Sequence, residues 1–153
     1  MCVIRIGGEE SEFLSITVLG RSHPECNDFW DGNWLRARVE IAVGGFRALV
    51  ICDLRSEELR QFHCDLARLQ ETTRGVAEFF TMERWLFLRV VGDGRGHVLF
   101  QCKVNDNAGI GNTLSCELNV DQTFVRLFLG QLAIALQVYP VVGEEEEIRK
   151  SLA

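Results

Sequence analysis

Asp28 and Asp31 stand three residues apart, with Trp30 and Trp34 beside them, so paired-carboxylate chemistry is the first to test. General acid and base work needs two carboxyls in different environments, one of them raised in pKa by burial. A spacing of three within a loop supplies no such contrast. The two side chains read instead as acceptors for backbone N–H groups in a turn. His23-Pro24-Glu25-Cys26 offers one ligand pair, but no second close pair follows, and a structural zinc needs four ligands. His63 and Cys64 fall in a helical pattern, where adjacent side chains point apart, a poor geometry for a Cys–His dyad. Cys2 would become an N-terminal thiol on loss of Met1, yet Val3, Ile4 and Ile6 lead straight into a strand pattern. Gly92-Asp93-Gly94-Arg95-Gly96 lacks the spacing of a phosphate loop. Asn105-Asp106-Asn107 lacks the ligand series, ending in a spaced Glu, of a calcium loop. The residues thus predict no catalytic centre, no metal site and no cofactor.

What stands out is a contact chemistry. Asp28-Phe29-Trp30-Asp31-Gly32-Asn33-Trp34-Leu35 packs two of the three tryptophans, one Phe and two carboxylates into one short segment. Loops are normally built from small polar residues. The segment is therefore either a plug on the open end of a sheet or a contact surface, since exposed Trp is enriched at the energetic centres of interfaces. Asp28, Trp30, Asp31 and Trp34 are the candidate partner-binding residues, with Asp93 and Asp106 as further acidic candidates in two turn-rich loops.

Composition narrows the partner. The chain has 153 residues, 47% hydrophobic and 25% charged, the proportions of a globular protein. That length favours one domain, expected over 1–143, with an acidic tail over 144–153 that begins Glu144-Glu145-Glu146-Glu147. A net charge of −6 disfavours nucleic acid and anionic membrane, both of which call for clustered Lys and Arg. No basic region followed by an apolar run opens the chain, so no signal peptide is read. The apolar stretch 124–139 is too short and too polar to span a bilayer. Six cysteines without a Cys-x-x-Cys pair look like reduced thiols of a cytoplasmic protein.

The elements that must carry the segment follow from periodicity. Leu35, Ala37, Val39, Ile41 and Val43 alternate with Arg36, Arg38 and Glu40, which predicts a half-buried strand. Gly44-Gly45 then turns the chain into a second strand over 46–52. Residues 2–6 and 13–19 predict a pair before it, and 76–81, 84–91, 96–104 and 113–120 predict four strands after it. Leu59, Phe62, Leu66 and Leu69 form a helical stripe, with Asp53 or Ser56 as cap and Gly75 as stop. A second helix, capped by Asp121, runs to about Tyr139; being apolar almost all round, it should be the more deeply buried of the two. The expected fold is α+β: about eight mainly antiparallel strands with two helices packed on them. Four strands, a helix, four strands and a helix is the order that a faded duplication would leave. Trp34-Leu35 and Trp85-Leu86 would be its matching marks.

Asp28 to Leu35, Arg55-Ser56-Glu57-Glu58-Leu59, Gly92 to His97, Gly109-Ile110-Gly111-Asn112 and Asp121-Gln122-Thr123-Phe124 occur in this order over about residues 12–140. In this the chain resembles the WapI-family immunity proteins, antitoxins to wall-associated contact-dependent toxins. The resemblance implies a cytoplasmic protein that binds a cognate toxin and blocks it without turnover; the expected state is monomer or homodimer, between which the sequence does not choose. Many such toxins are nucleases with basic grooves, which suits an acidic protein. The rival is a small ligand-binding or enzymatic α+β domain. It would need convergent polar groups on the inward strand faces, which the alternation does not provide.

Overall fold

The structure, a computed structural model, describes residues 1–145. Eight strands and three helices follow in the order β1 (Cys2–Gly7), β2 (Phe13–Arg21), α1 (Phe29–Gly32), β3 (Trp34–Val43), β4 (Phe46–Arg55), α2 (Ser56–Thr72), β5 (Arg74–Phe80), β6 (Leu86–Asp93), β7 (His97–Asn107), β8 (Ile110–Asp121) and α3 (Gln122–Val138). All neighbouring strands are antiparallel. The α+β expectation holds, and the strands divide into two four-stranded sheets, β1-β2-β3-β4 and β5-β6-β7-β8. The short α1 was not expected. The acidic tail, beyond Glu145, lies outside the described residues.

The alternation that predicts β3 also sets its burial. Leu35, Ala37, Val39 and Ile41 are buried, whereas Arg36 and Arg38 are exposed. One hydrophobic cluster runs from Ile4 on β1 through both sheets to Ala135 on α3. Phe62 of α2 sits at its centre, 5.3 Å from the ring of Phe79 and 6.1 Å from that of Phe128. Such tilted and edge-on pairs are the favoured arrangements of aromatic rings.

The two halves interlock. α2, which ends the first half, packs on β5 of the second, and α3, which ends the second, packs on β1 of the first. β3 meets β8, and β4 meets β7, so exchanging the halves reproduces the contacts. The last hairpin of each half closes on a two-residue turn, between Val43 and Phe46 and between Asn107 and Ile110. Gly44 and Gly109 there take positive φ of 55° and 69°, as such turns require. This pairing corrects the markers of duplication. Trp34 opens the third strand of its half, opposite Arg55, and the equivalent position is His97, opposite Asp121. Trp85 precedes the second strand of its own half, so the Trp-Leu match is a coincidence of sequence.

Two helix details depart from expectation. Arg55, not Asp53 or Ser56, is the N-cap of α2; its backbone N–H donates to Glu58 at 2.9 Å, which is half of a capping box. The helix stops at Thr73, left-handed with φ of 60°, two residues before Gly75. α3 is not the more deeply buried helix. It buries Val125, Phe128, Leu132 and Ala135 but leaves Phe124, Leu127, Ile134 and Val138 exposed. Its inner face is covered by β1 and α2, and the described residues place nothing over the outer one.

Candidate partner-binding site

Arg55 organises the aromatic segment. The strand alternation puts it on the outer face of β4, level with Trp34, yet its side chain is fully buried. The chain between β2 and β3 folds over it. The guanidinium donates to the carbonyl oxygens of Trp30 at 2.7 Å and Phe29 at 2.8 Å and forms an ion pair with Glu57. Three rings surround it, with centroids 4.7 Å (Trp34), 4.9 Å (Trp30) and 5.5 Å (Phe29) from its central carbon. Cation–π attraction strengthens when the cation is desolvated, as here. A buried cation is tolerated only when paired and hydrogen-bonded, and this one is both.

Other bonds hold the segment in place. Asp28 caps α1, accepting from the Asp31 N–H at 2.8 Å. The Asn33 amide donates to Phe29 O at 2.8 Å and Val142 O at 2.9 Å, and its oxygen accepts from Val142 N–H at 2.9 Å. Arg21 donates to Gly32 O and to Pro140 O, both at 2.6 Å. Gly32 is required by close approach: a Cβ there would lie 2.8 Å from Cys26 O and 2.6 Å from the Val142 side chain. The post-α3 chain is thereby stitched to α1.

The segment is thus a plug from behind and a surface in front. Trp30 remains 48% exposed, Asp28 and Asp31 are exposed, and Trp34 is half-buried. Beside it lies a cleft of about 670 Å³ lined by Arg21, Ser22, His23, Trp34, Arg36, Asp53 and Glu83. Its charges are largely matched internally, Arg36 with Asp53 at 3.3 Å and Arg21 with the two carbonyls.

Of the six sequence candidates the structure gathers four: Asp28, Trp30, Asp31 and Trp34. Asp93 and Asp106 sit in turns of their own. Asp93 accepts from Arg95 N–H at 2.7 Å and from His97, and Asp106 from the Asn112 N–H at 2.8 Å and its amide. These bonds hold both carboxyls below the ordinary Asp value. Among the described residues no hydrogen bond joins either to the Trp30 cluster. Sequence reasoning missed Arg55, and it considered Cys26 only beside His23, in a ligand pair it set aside, whereas the fold brings Cys26 to the carboxylates. Its thiol and the carboxylates of Asp28 and Asp31 lie within 4.8 Å of one another. Desolvation and the charges of Glu25, Asp28 and Asp31 push that thiol up.

Glu58 ties the site to the second sheet. Its two oxygens accept from Met82 N–H at 2.8 Å and Arg55 N–H at 2.9 Å. Burial nevertheless raises its pKa to about 7. All six cysteines are free. Cys52, buried on the inner face of β4, is pushed up to about 12 by desolvation. Cys102 and Cys116 face each other in register across β7 and β8.

Comparison with known families decides the relationship. The model of the WapI-like immunity protein family matches residues 5–140. The chain belongs to that family. No curated protein is significantly similar to it. Membership of a WapI-like immunity family implies a protein that binds a cognate toxin. The family match spans both sheets, α1, α2 and α3, and so includes the Trp30 cluster. Among the described residues no helix is long and apolar enough to cross a membrane.

Proposed function

We propose that this WapI-like protein is a cytoplasmic antitoxin that occludes the active groove of a basic toxin domain, a nuclease type being the best fit, by stoichiometric binding without turnover. The observation that carries the reading is Trp30: a large ring pinned against a buried guanidinium, half open to solvent, with the carboxylates of Asp28 and Asp31 beside it. An anchored aromatic lowers the ordering cost of binding, and the flanking charges suit a basic surface. Trp34 and the cleft beside it extend the patch. Asp93 and Asp106 add negative charge at a distance and act on encounter only.

The test is paired. Trp30→Ala with Asp31→Ala removes the exposed part of the patch. The variant is expected to keep its melting transition within a few degrees and to lose protection from the toxin. If the folded variant still protects, the patch is a plug only and the interface lies elsewhere. A small-ligand reading would rest on the cleft, but there Arg36 is paired with Asp53 and Arg21 with two carbonyls, which among the described residues leaves Glu83, bonded only to the Trp85 ring N–H, as its one charged group outside these pairings.

A further inference from the structure

β4 is the free edge of the first sheet, and its exposed row is unlike an ordinary edge. The two-residue turn makes Val43 and Phe46 a hydrogen-bonded pair. Every second pair after it also bonds to β3, ending in Ser56 N–H to Asn33 O at 3.0 Å. Arg47, Leu49, Ile51 and Asp53 therefore direct their backbone N–H and C=O groups away from β3, to the open edge. Their side chains lie on the outer face, with Leu49 66% and Ile51 44% exposed. The pseudo-equivalent edge, β8, presents Thr113, Ser115, Glu117 and Asn119 on its exposed row, the polar and charged face by which proteins keep an edge from pairing. β4 carries no such protection at its centre.

We propose that β4 is a homodimerisation edge, on which a second copy of this chain pairs β4 to β4, antiparallel, about a two-fold axis at Val50. The charges select this occupant and this register. With the axis at Val50, Leu49 stands opposite Ile51 of the second copy and Arg47 opposite its Asp53, and the relation is reciprocal, as a two-fold interface requires. Moving the axis to Leu49 sets Arg47 against Ile51, and moving it to Ile51 sets Leu49 against Asp53; each buries a charge against an apolar residue. The bonds joining the copies are the ladder bonds of Leu49 and Ile51, flanked at both ends by opposite charges.

Sedimentation equilibrium of the full chain at tens of micromolar, without toxin, tests this apart from the antitoxin reading. The expected mass is twice 17.3 kDa. Leu49→Lys with Ile51→Lys is expected to give a folded monomer that still melts cooperatively, because both side chains are exposed, at a temperature lowered only by the lost association. Arg47→Asp is expected to weaken the dimer at least tenfold, whereas Arg38→Asp, the same charge change on β3, leaves it intact; this pair carries the test if the double lysine variant does not fold. Hydrogen exchange is expected to show slow amides at Leu49 and Ile51 in the dimer and fast ones in the monomeric variant. A wild-type monomer at this concentration overturns the proposal, whether those amides exchange freely, are protected by residues 146–153 of the same chain, or become protected only when toxin is added. A dimer that survives Leu49→Lys with Ile51→Lys, or that responds equally to Arg47→Asp and Arg38→Asp, overturns it too.

Discussion

At the residue scale the site turns on two groups that the sequence shows but does not rank. Arg55 lies on the outward parity of β4 and reads as a solvated cation. Its burial is created by residues 28–34 folding back across the sheet, a non-local event that alternation cannot encode. Asp28, Trp30, Asp31 and Trp34 were legible because an aromatic and acidic loop is compositionally odd. Arg55→Ala would leave the Trp30 carbonyl without a donor, the Phe29 carbonyl with the Asn33 amide alone, and Glu57 without its partner. The expected loss is about 3–5 kcal/mol, the cost of breaking a buried pair, read by denaturant melts and by loss of the near-ultraviolet tryptophan signal. Arg55→Lys keeps the charge but not the planar fork and should fall between the two. Glu58 gives a pH signature. Its folded pKa of about 7 lies above its unfolded value of 4.5, so the folded state binds the extra proton. Stability is then greatest below the unfolded value, falls as pH rises through the window between the two, and levels off above about 7. Melting curves across that window are expected to show the fall in the native chain. Glu58→Gln removes it, though the amide can accept only one of the two backbone bonds.

At the element scale, strand periodicity was legible because each strand has one buried face, and the α2 stripe because it packs on β5. The division into two sheets was not legible, since it depends on α3 crossing back to β1. The depth of α3 was misread for a related reason. Composition reports how apolar a helix is, not how many neighbours surround it, and Leu127 and Ile134 remain outside the core. Leu127→Lys with Ile134→Lys is accordingly expected to change stability by no more than about 0.5 kcal/mol, whereas Phe128→Ala, in the aromatic centre, should cost about 3–5 kcal/mol. Urea melts of the two variants separate exposed from buried faces of one helix. The cysteines obey the same logic. Cys64, exposed on α2, is expected to react first with a thiol reagent, and Cys52 and Cys102, buried in β4 and β7, only on unfolding.

At the scale of the whole molecule, the proposed function assigns charge and patch to different stages of binding. The net charge of −6 is spread over turns such as those of Asp93 and Asp106 as well as the Trp30 surface. On the proposed function its field would guide encounter, and the pinned Trp30 ring would make the short-range contact that resists dissociation. Salt should separate these stages. At 0.1 M ionic strength the screening length is about 10 Å, so raising salt from about 0.05 to about 0.5 M is expected to lower the association rate with the toxin at least tenfold and to change dissociation little. Stopped-flow tryptophan fluorescence measures both rates on the native protein. Asp93→Asn with Asp106→Asn should flatten the salt slope of association and leave dissociation unchanged, because neither residue touches the Trp30 cluster. Trp30→Ala should do the reverse, speeding dissociation at every salt concentration while the slope persists. An association rate indifferent to salt would show that the toxin surface is not basic, and the nuclease-type partner would have to be abandoned while the Trp30 contact was still judged on dissociation.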